Sequence, residues 1–318
     1  MAKANLTESE SENEVMSQLI LLTGAYQDLD KPVILAGGEL GIYYVNTEKL
    51  VQDNGKFNEF GNSSYDMINH AIEMTKQHPS FKEAIDIISN RAMKLFIENE
   101  KRDYTKVISG GQRRDWLFSG PVADKLQVPH ISLYKQGVHD ENDKIEVVMP
   151  DGNHETKDLH NVYAIHIVDL ITEASSVYRK ENEMTMGWAP MLRNRHIKID
   201  NLISVVSRNQ GGEERLRGIG IEANSFVTIN ENFIRKYSKN PERGLDYLQD
   251  PEMWSTNYLI ENGASEFFKT FNPEGGKLDR AKRFISRYKD VLDSTGRMKE
   301  LDSVVKQNYG KSLQEILN

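Results

Sequence analysis

Apolar residues recur at intervals of three and four between residues 80 and 99, and the positions between them are mostly polar or charged. Such spacing places the apolar side chains on one face of an α-helix that packs against a core. That face comprises Phe81, Ala84, Ile85, Ile88, Ala92, Leu95 and Phe96. The pattern therefore predicts an amphipathic helix over 80–99.

Three other patterns precede this helix. Residues 1–14 are polar and acidic, and we expect them to be frayed as a chain start. Apolar residues at helical spacing predict a helix over 15–26. The stretch "PVILAGGELGIYYVN" at 32–46 predicts two short strands around a glycine turn, which we interpret as an N-terminal hood or edge hairpin.

After residue 105, short apolar runs alternate with segments of helical periodicity. Strands are predicted at 106–109, 129–134, 162–168, 201–207 and 225–229, a hairpin around 149–152, and helices near 114–126, 175–187 and 212–218. Alternation of this kind is typical of βαβ units. We expect an α/β fold with a mainly parallel sheet flanked by helices, and ligands of such sheets bind at the carboxyl ends of the strands.

The pattern changes beyond about residue 240, where longer amphipathic segments are broken by Pro and Gly. This stretch is too short for a (β/α)₈ barrel, which needs about 250 residues. We expect a helical C-terminal extension. The expected organisation is an N-terminal helix and tail at 1–31, an α/β domain with its hood at 32–239, and the extension at 240–318.

Composition narrows the function classes. The net charge of −8 argues against a general nucleic-acid binder, although a local basic pocket for an anionic small molecule remains open. The absence of cysteine excludes disulfides and thiolate chemistry and suits a reducing compartment. No apolar run reaches the roughly 20 residues that span a bilayer. We expect a cytoplasmic protein with no membrane partner.

The end of the first predicted strand carries a glycine pair and a basic cluster. "VISGGQRRDW" at 107–116 places Gly110 and Gly111 before Arg113 and Arg114. Exposed amides at a helix start and added guanidinium groups favour a polyanion, but an ordinary strand-to-helix turn with solvated arginines would look the same. Lys135 follows the next strand and is either a ligand contact or a solvated lysine.

A hydroxyl-rich segment follows the strand "YAIHIV". The acid Asp169 and the hydroxyl residues Thr172, Ser175 and Ser176 could hold a ribose and a phosphate. The alternative is helix N-capping by Thr172 or Ser175. His166, inside the apolar run, is interpreted as a packed core histidine.

A fourth candidate lies at the end of the strand 201–207. Arg208 stands immediately before another glycine pair, where its guanidinium could bind a substrate carboxylate in bidentate fashion. The alternative is an arginine paired with Glu213 or Glu214. The order of these four segments along one parallel sheet is more informative than any one of them.

That order resembles type I phosphoribosyltransferases, and orotate phosphoribosyltransferase in particular, over residues 32–238. "LAGGELGIYYVN" resembles the base-covering segment, and the resemblance implies that Tyr43 and Tyr44 flank the base. "ISGGQRRDWLFSGPVADKLQVPHISLYK" is similar to the pyrophosphate loop with its helix and next strand. "VSRNQGGEERLRGIGIEANSFVTI" is similar to the segment whose arginine contacts the orotate carboxylate, with Ser207 in place of an aspartate.

The resemblance also implies an activity and its site. The expected enzyme is a glycosyltransferase that moves ribose 5-phosphate from phosphoribosyl diphosphate to a pyrimidine base such as orotate. Mg²⁺ would be held through the diphosphate rather than by protein ligands, and the expected assembly is a homodimer. The implied catalytic residues are Asp169, on the ribose hydroxyls, and Lys135, on the diphosphate. The other implied roles are pyrophosphate binding by Gly110, Gly111, Arg113 and Arg114, 5′-phosphate binding by Thr172, Ser175 and Ser176, and base binding by Arg208.

The family's phosphoribosyl-diphosphate signature is altered in this chain. Val168 replaces the first acid, and Glu173, Ala174 and Ser175 stand where the family has Thr-Gly-Gly. Transfer to another base, or a non-catalytic protein that binds a nucleotide, therefore remains an alternative. An enzyme requires Glu173 to point outward and the loop to leave a phosphate-sized space, whereas a non-catalytic protein would have that space blocked.

Overall fold

The strand and helix alternation expected after residue 105 is present in the computed structural model, which describes residues 8–98, 104–135, 145–149, 161–179, 187–275 and 277–318. The strands are β1 (Tyr26–Ile34), β2 (Leu40–Val45), β3 (Thr105–Gly111), β4 (His130–Leu133), β5 (Ile145–Val148), β6 (Val162–Ile171), β7 (Lys198–Ser207) and β8 (Glu222–Thr228). The first two pair with each other, and the rest form a six-stranded sheet in the order β5-β4-β3-β6-β7-β8.

This sheet is mainly parallel. Strands β4, β3, β6, β7 and β8 run in one direction, and only the edge strand β5 is antiparallel, to β4. The carboxyl ends of β3, β4, β6 and β7 therefore lie along one edge of the sheet, as the sequence predicts.

Helices precede, connect and follow the strands. They are α1 (Glu8–Leu22), α2 (Ser64–Gln77), α3 (Pro79–Glu98), α4 (Arg114–Leu126), α5 (Trp188–Arg193), α6 (Gly212–Arg217), α7 (Glu231–Tyr237), α8 (Pro241–Gln249), α9 (Pro251–Asn262), α10 (Leu278–Ser294), α11 (Arg297–Tyr309) and α12 (Leu313–Leu317). Short 3₁₀ helices lie at Thr47–Leu50, Lys56–Phe60 and Ser265–Phe271. The helix predicted over 80–99 is α3, and the helix predicted over 114–126 is α4.

Two glycines let helices approach both faces of the sheet. Successive strand residues point to opposite faces. A Cβ on Gly110 would lie 2.1 Å from Ser119 Oγ of α4, and a Cβ on Gly111 would lie 2.3 Å from Trp188 Nε1 of α5. The glycine pair therefore ends β3 inside the sheet, and the turn to α4 consists of the residues after it. On the α5 face, apolar side chains of β3, β4, β6 and β7 form a buried cluster with those of α5 and α6.

The first helix differs from the prediction at both ends. It begins at Glu8, inside the polar segment expected to be frayed, and it ends at Leu22 rather than at residue 26. Glu12 explains the earlier start, because its carboxylate accepts a hydrogen bond from Arg91 of α3 at 2.8 Å and the pair is largely buried. Gly24, with φ of +69°, follows the helix and begins the turn into β1.

The helix predicted over 175–187 is wrong where the structure describes it. Residues 172–179 form irregular turns, and α5 begins only at Trp188; residues 180–186 lie outside the described residues. Ala174 has φ of +55°, which no regular helix allows, and its carbonyl accepts the amides of Val177 and Tyr178. The hairpin expected around 149–152 also falls partly outside the described residues, since only its first strand β5 and Met149 are included.

The chain divides into two units whose boundaries differ from those expected. Residues 1–26 and 46–229 form one unit, and residues 27–45 and 230–318 form the other. The hairpin β1–β2 thus belongs with the C-terminal helices rather than with the sheet. The reason is hydrophobic: Ile34 and Leu40 are buried in one cluster with side chains such as Leu259, Phe284 and Leu301.

None of the helices in the described part of the chain is both long enough and apolar enough to cross a membrane.

Candidate functional site

A cavity of about 540 Å³ opens at the carboxyl ends of β3, β4 and β6. Its walls combine cationic, acidic, amide and aromatic side chains. They are Glu48, Phe57, Asn58, Asn62, Gln112, Arg113, Arg114, Asp115, Lys135, Asp169, Ser176 and Trp188. The predicted residues Arg113, Arg114, Lys135, Asp169 and Ser176 are therefore brought together, although they come from three different strand ends.

The turn between β3 and α4 supplies the arginines. Arg113 is partly exposed, its Nη2 donates to Asn58 Oδ1 at 3.0 Å, and its Nε is buried without a hydrogen-bond partner among the described residues. Arg114 is exposed and pairs with Glu48. A buried, unsatisfied N–H next to a polar cavity is suited to donate a hydrogen bond to an anion, since leaving it unpaired costs about 1–3 kcal/mol.

The amides of Gly110 and Gly111, which were expected to bind pyrophosphate, have limited access to a ligand. The Gly111 amide donates to Asp115 Oδ2 at 3.2 Å, so this N–H already has an acceptor inside the protein. Gly110 is buried against α4. Close packing of helices explains both glycines, and pyrophosphate binding by them stays a prediction that the geometry does not favour.

Lys135 lies at the end of β4 beside Gln112. Its backbone amide donates to Gln112 Oε1 at 2.9 Å, and Gln112 Nε2 donates to Asn62 Oδ1 at 2.6 Å. Gln112 thus fixes the backbone of Lys135 while the lysine side chain is exposed on the cavity wall. The next residues, 136–144, lie outside the described residues.

Two acidic residues, Asp115 and Asp169, are joined by a hydrogen bond at the site. Asp115 Oδ1 accepts the amide of Asp169 at 2.9 Å, and Asp169 Oδ2 accepts the hydroxyl of Thr47 at 2.7 Å. Burial, followed by the charge of Asp169, raises the pKa of Asp115 well above its usual value. When Asp115 is protonated, three cations of the cavity wall, Arg113, Arg114 and Lys135, face two ionised acids, Glu48 and Asp169.

The loop after β6 offers unpaired amides. Among the hydrogen bonds of the described residues, none is donated by the backbone amides of residues 172–176. Ser176 is exposed and lines the cavity, and its carbonyl accepts the amide of Trp188 at 3.1 Å. Glu173 is exposed. The loop therefore keeps its acid on the exposed surface and presents polar N–H groups that need partners.

Several predicted residues are not part of the cavity wall. Thr172 is partly buried and Ser175 is exposed, with its carbonyl accepting Arg179 Nε at 2.9 Å. Arg208 is buried, and its amide donates to Ile171 O at 2.9 Å, so it lies beside the end of β6. Gly212 explains the second glycine pair by packing, because a Cβ there would lie 2.4 Å from the carbonyl oxygen of Thr172.

The predicted aromatic pair lies in the other unit. Tyr43 is buried, and its ring contacts that of Tyr247 edge to face at a centroid distance of 5.9 Å. Tyr44 is exposed by 39%. Base binding by these two tyrosines stays a prediction.

Sequence reasoning missed much of the cavity wall. Asp115 directly follows the arginines, and an acid in the first turn of the predicted helix is the signal that could have found it. Trp188, Asn58 and Asn62 come from distant segments that carry no motif. They could be found only from the fold.

Direct metal binding by protein groups finds no support in the donor set. Both oxygens of Asp115 accept backbone amides, and Asp169 Oδ2 accepts a hydroxyl. Within the described ranges, no three His, Asp or Glu side chains are grouped so that they could hold a metal ion. Binding of Mg²⁺ through the diphosphate stays a prediction.

Comparison with known proteins gives a likeness in fold. No protein-family model matches the sequence, and no curated protein matches it. The orotate phosphoribosyltransferase of Aeropyrum pernix is 14% identical with a TM-score of 0.44, over 70% of this chain and 97% of that one. The UMP synthase of Leishmania donovani is 13% identical with a TM-score of 0.47, over 76% of this chain and 42% of that one.

An adenine phosphoribosyltransferase gives a similar result. The protein from Rhodothermus marinus is 13% identical with a TM-score of 0.39, over 66% of this chain and 97% of that one. Identities and scores of this size assign no role to any residue. The chain is similar in fold to type I phosphoribosyltransferases.

Proposed function

We propose that the protein is a phosphoribosyltransferase that transfers ribose 5-phosphate from phosphoribosyl diphosphate to orotate. The observation that carries the proposal is the composition of one cavity: Arg113, Arg114 and Lys135 face Asp169 and Ser176 at the carboxyl ends of parallel strands. Cations suit a diphosphate, a carboxylate suits ribose hydroxyls, and open amides suit a phosphate monoester.

In this proposal the arginines and Lys135 bind the departing pyrophosphate. The reaction breaks the bond between C1 of the ribose and the diphosphate oxygen, and the oxygen leaves with the electron pair. The lone pair of the base nitrogen forms the new bond at C1, and the proton of that nitrogen passes to the departing diphosphate or to water. Charge develops on the leaving group, so fixed cations stabilise the transition state more than the ground state.

Asp169 and the loop 172–176 would hold the rest of the donor. The half-buried Asp169 carboxylate accepts from ribose hydroxyls, and the amides of the loop with Ser176 donate to the 5′-phosphate. Glu173 is exposed, which supports a binding role for the loop, because a carboxylate facing the phosphate would repel it. Mg²⁺ would bind to diphosphate oxygens and neutralise part of their charge.

Orotate as the acceptor is the finer part of the proposal. It rests on the resemblance of the segment that contains Arg208. Arg208 is buried and its backbone amide donates to Ile171 O at the end of β6, and a buried guanidinium suits a carboxylate. Adenine is the acceptor to test against it, because adenine phosphoribosyltransferases share the fold.

The test is calorimetric titration with phosphoribosyl diphosphate and Mg²⁺, followed by an assay of base consumption and pyrophosphate release. The wild-type protein should bind the donor and consume orotate but not adenine. Arg113→Ala and Lys135→Ala should each weaken donor binding by about 10–100-fold, since a hydrogen bond to a charged group contributes about 1.5–3 kcal/mol.

Matched controls are Arg217→Ala and Lys125→Ala. Both are exposed cations of α6 and α4 whose ion partners, Glu222 and Asp86, lie outside the cavity wall. They should bind the donor as the wild type does. Failure of the wild-type protein to bind phosphoribosyl diphosphate would overturn the proposal, and donor binding without turnover of either base would support the non-catalytic alternative.

A further inference from the structure

We propose that Glu48 is an internal competitor for the anion site: its carboxylate holds the guanidinium of Arg114, and a phosphate-bearing ligand gains that guanidinium only by displacing the carboxylate. Glu48 thereby weakens the binding of such a ligand and favours its release. The identity of the ligand rests on the proposed function, whereas the pairing of Glu48 with Arg114 does not.

The first support is the position of the pair in the wall of the cavity. Glu48 and Arg114 both line the cavity, and the Nε of Arg114 donates to a carboxylate oxygen of Glu48. The arginine side chain is 47% exposed and the glutamate side chain is 20% exposed. A carboxylate accepts the same charge-assisted hydrogen bonds from a guanidinium as a phosphate does. Glu48 therefore takes a place that an anionic ligand would use.

The second support is the fixed backbone that carries the Glu48 side chain. Glu48 lies in the 3₁₀ helix Thr47–Leu50, and the side chain of the N-cap residue Asn46 accepts the Glu48 amide at 3.3 Å. Thr47 and Leu50 are buried. The residues on both sides of Glu48 are thus anchored, so its carboxylate can leave Arg114 by rotation of the side chain alone.

The third support is the contrast with the other two cations of the wall. Arg113 donates to the neutral side chain of Asn58 at 3.0 Å, and the side chain of Lys135 is exposed. Among the described residues, the ion pairs of the cavity wall include Arg114 but neither Arg113 nor Lys135. A ligand with two phosphoryl groups has enough oxygens to bind these two cations and to compete for Arg114 as well.

The first experiment observes the pair without a ligand. Protein labelled with ¹⁵N in its arginines gives an Nε–H signal for Arg114, which NMR identifies by its absence in Arg114→Ala. Glu48→Gln should shift this signal in the empty protein, because the charged acceptor is gone. Inorganic pyrophosphate with Mg²⁺ should shift it in the wild type. An Arg114 signal that is the same in the wild type and in Glu48→Gln would overturn the inference.

The second experiment is a double-mutant cycle on the binding of pyrophosphate with Mg²⁺, measured by calorimetry. Glu48→Gln should bind pyrophosphate about two- to fivefold more tightly than the wild type, the size of effect that a partly exposed ion pair contributes. The same substitution in Arg114→Ala should give no gain, because the guanidinium for which Glu48 competes is missing. An equal gain in both backgrounds would show that Glu48 acts only through its negative charge. That result would overturn the inference, as would no gain in either background.

Glu59→Gln is the matched control. Glu59 is an exposed acid of the 3₁₀ helix Lys56–Phe60 and lies outside the cavity wall. Its substitution changes the net charge equally and should leave the pyrophosphate affinity unchanged; a gain equal to that of Glu48→Gln would overturn the inference. Failure of the proposed function alone is a different result, in which the cycle is as expected but the wild-type protein does not bind phosphoribosyl diphosphate.

Discussion

Two histidines are buried in the sheet and hydrogen bonded to serine hydroxyls. His166 Nδ1 lies 3.0 Å from Ser109 Oγ, and His130 lies 2.8 Å from Ser119 Oγ and 3.1 Å from Ser132 Oγ. Burial lowers the pKa of both histidines to about 3, and the proximity of His166 contributes at His130. His166 is thus the core histidine that the sequence predicts, and it is neutral at neutral pH.

Because of these two histidines, we expect the stability of the fold to decrease in acid. Between about pH 6.5 and about pH 3 the unfolded chain binds protons that the folded histidines do not, so the free energy of unfolding should fall as pH drops. Each histidine contributes about 1.4 kcal/mol per pH unit inside that window. Asp115 acts in the opposite sense, because a raised pKa makes stability fall as pH rises toward it.

Urea unfolding at several pH values measures the effect. His166→Gln should reduce the dependence of unfolding free energy on pH by about 1.4 kcal/mol per unit, since one buried titrating group is removed. Ile167→Val, at the neighbouring buried position, should lower stability by about 0.5–1.5 kcal/mol at every pH and leave the slope unchanged. An unaltered slope in His166→Gln would contradict this account of the histidines.

At the scale of elements, the loop after β6 has an alanine in a conformation that favours glycine. Ala174 has φ of +55° and is buried in the cluster formed with α5. Glycine adopts a positive φ more readily than a residue with a Cβ. The left-handed conformation costs a residue with a Cβ about 1–2 kcal/mol.

Ala174→Gly should therefore stabilise the protein by about 0.5–1 kcal/mol, after the greater freedom of the unfolded glycine is subtracted. Thermal or urea unfolding measures the change. Ala189→Gly is the matched control, because Ala189 is buried in the same cluster but lies in α5. It should destabilise by about 1 kcal/mol. Loss of stability in Ala174→Gly equal to that of the control would show that φ is not the deciding factor.

At the scale of the whole molecule, the second unit is assembled from two distant parts of the chain. The hairpin at 27–45 is followed by the entire first unit before the chain returns at residue 230. Its core joins Ile34 and Leu40 to side chains of α9, α10 and α11. The C-terminal helices therefore supply most of the side chains in the hydrophobic core of this unit.

Leu40→Ala should destabilise this unit by about 2–5 kcal/mol, because Leu40 is fully buried and its removal leaves a cavity. Amide hydrogen exchange should show the largest loss of protection in the second unit, including α10, and a smaller loss in β3. Val33→Ala, in the same hairpin but 36% exposed, should change stability by about 0.5 kcal/mol or less. Equal loss of protection in α10 and β3 would contradict the division into units.

Local patterns in the sequence are enough to predict many of the helices and strands. Periodicity over a few residues located α3, α4 and the parallel strands, because burial on one face imposes a repeat on neighbouring positions. It also placed Arg113, Lys135 and Asp169 at strand ends, which a parallel sheet brings to one edge.

The contacts that build the cavity and the second unit can be seen only in the folded chain. Thr47 bonds to Asp169 across 122 residues, and Asp115 bonds to Asp169 across 54 residues. The indole of Trp188 covers Gly111, and the hairpin at 27–45 joins helices that follow residue 230. Contacts between residues that are distant in the chain produce no periodic pattern in the sequence, because each contact depends on the path of the whole backbone. Packing of the whole molecule therefore determines which residues line the cavity, that Asp115 contacts Asp169, and which segments form each unit.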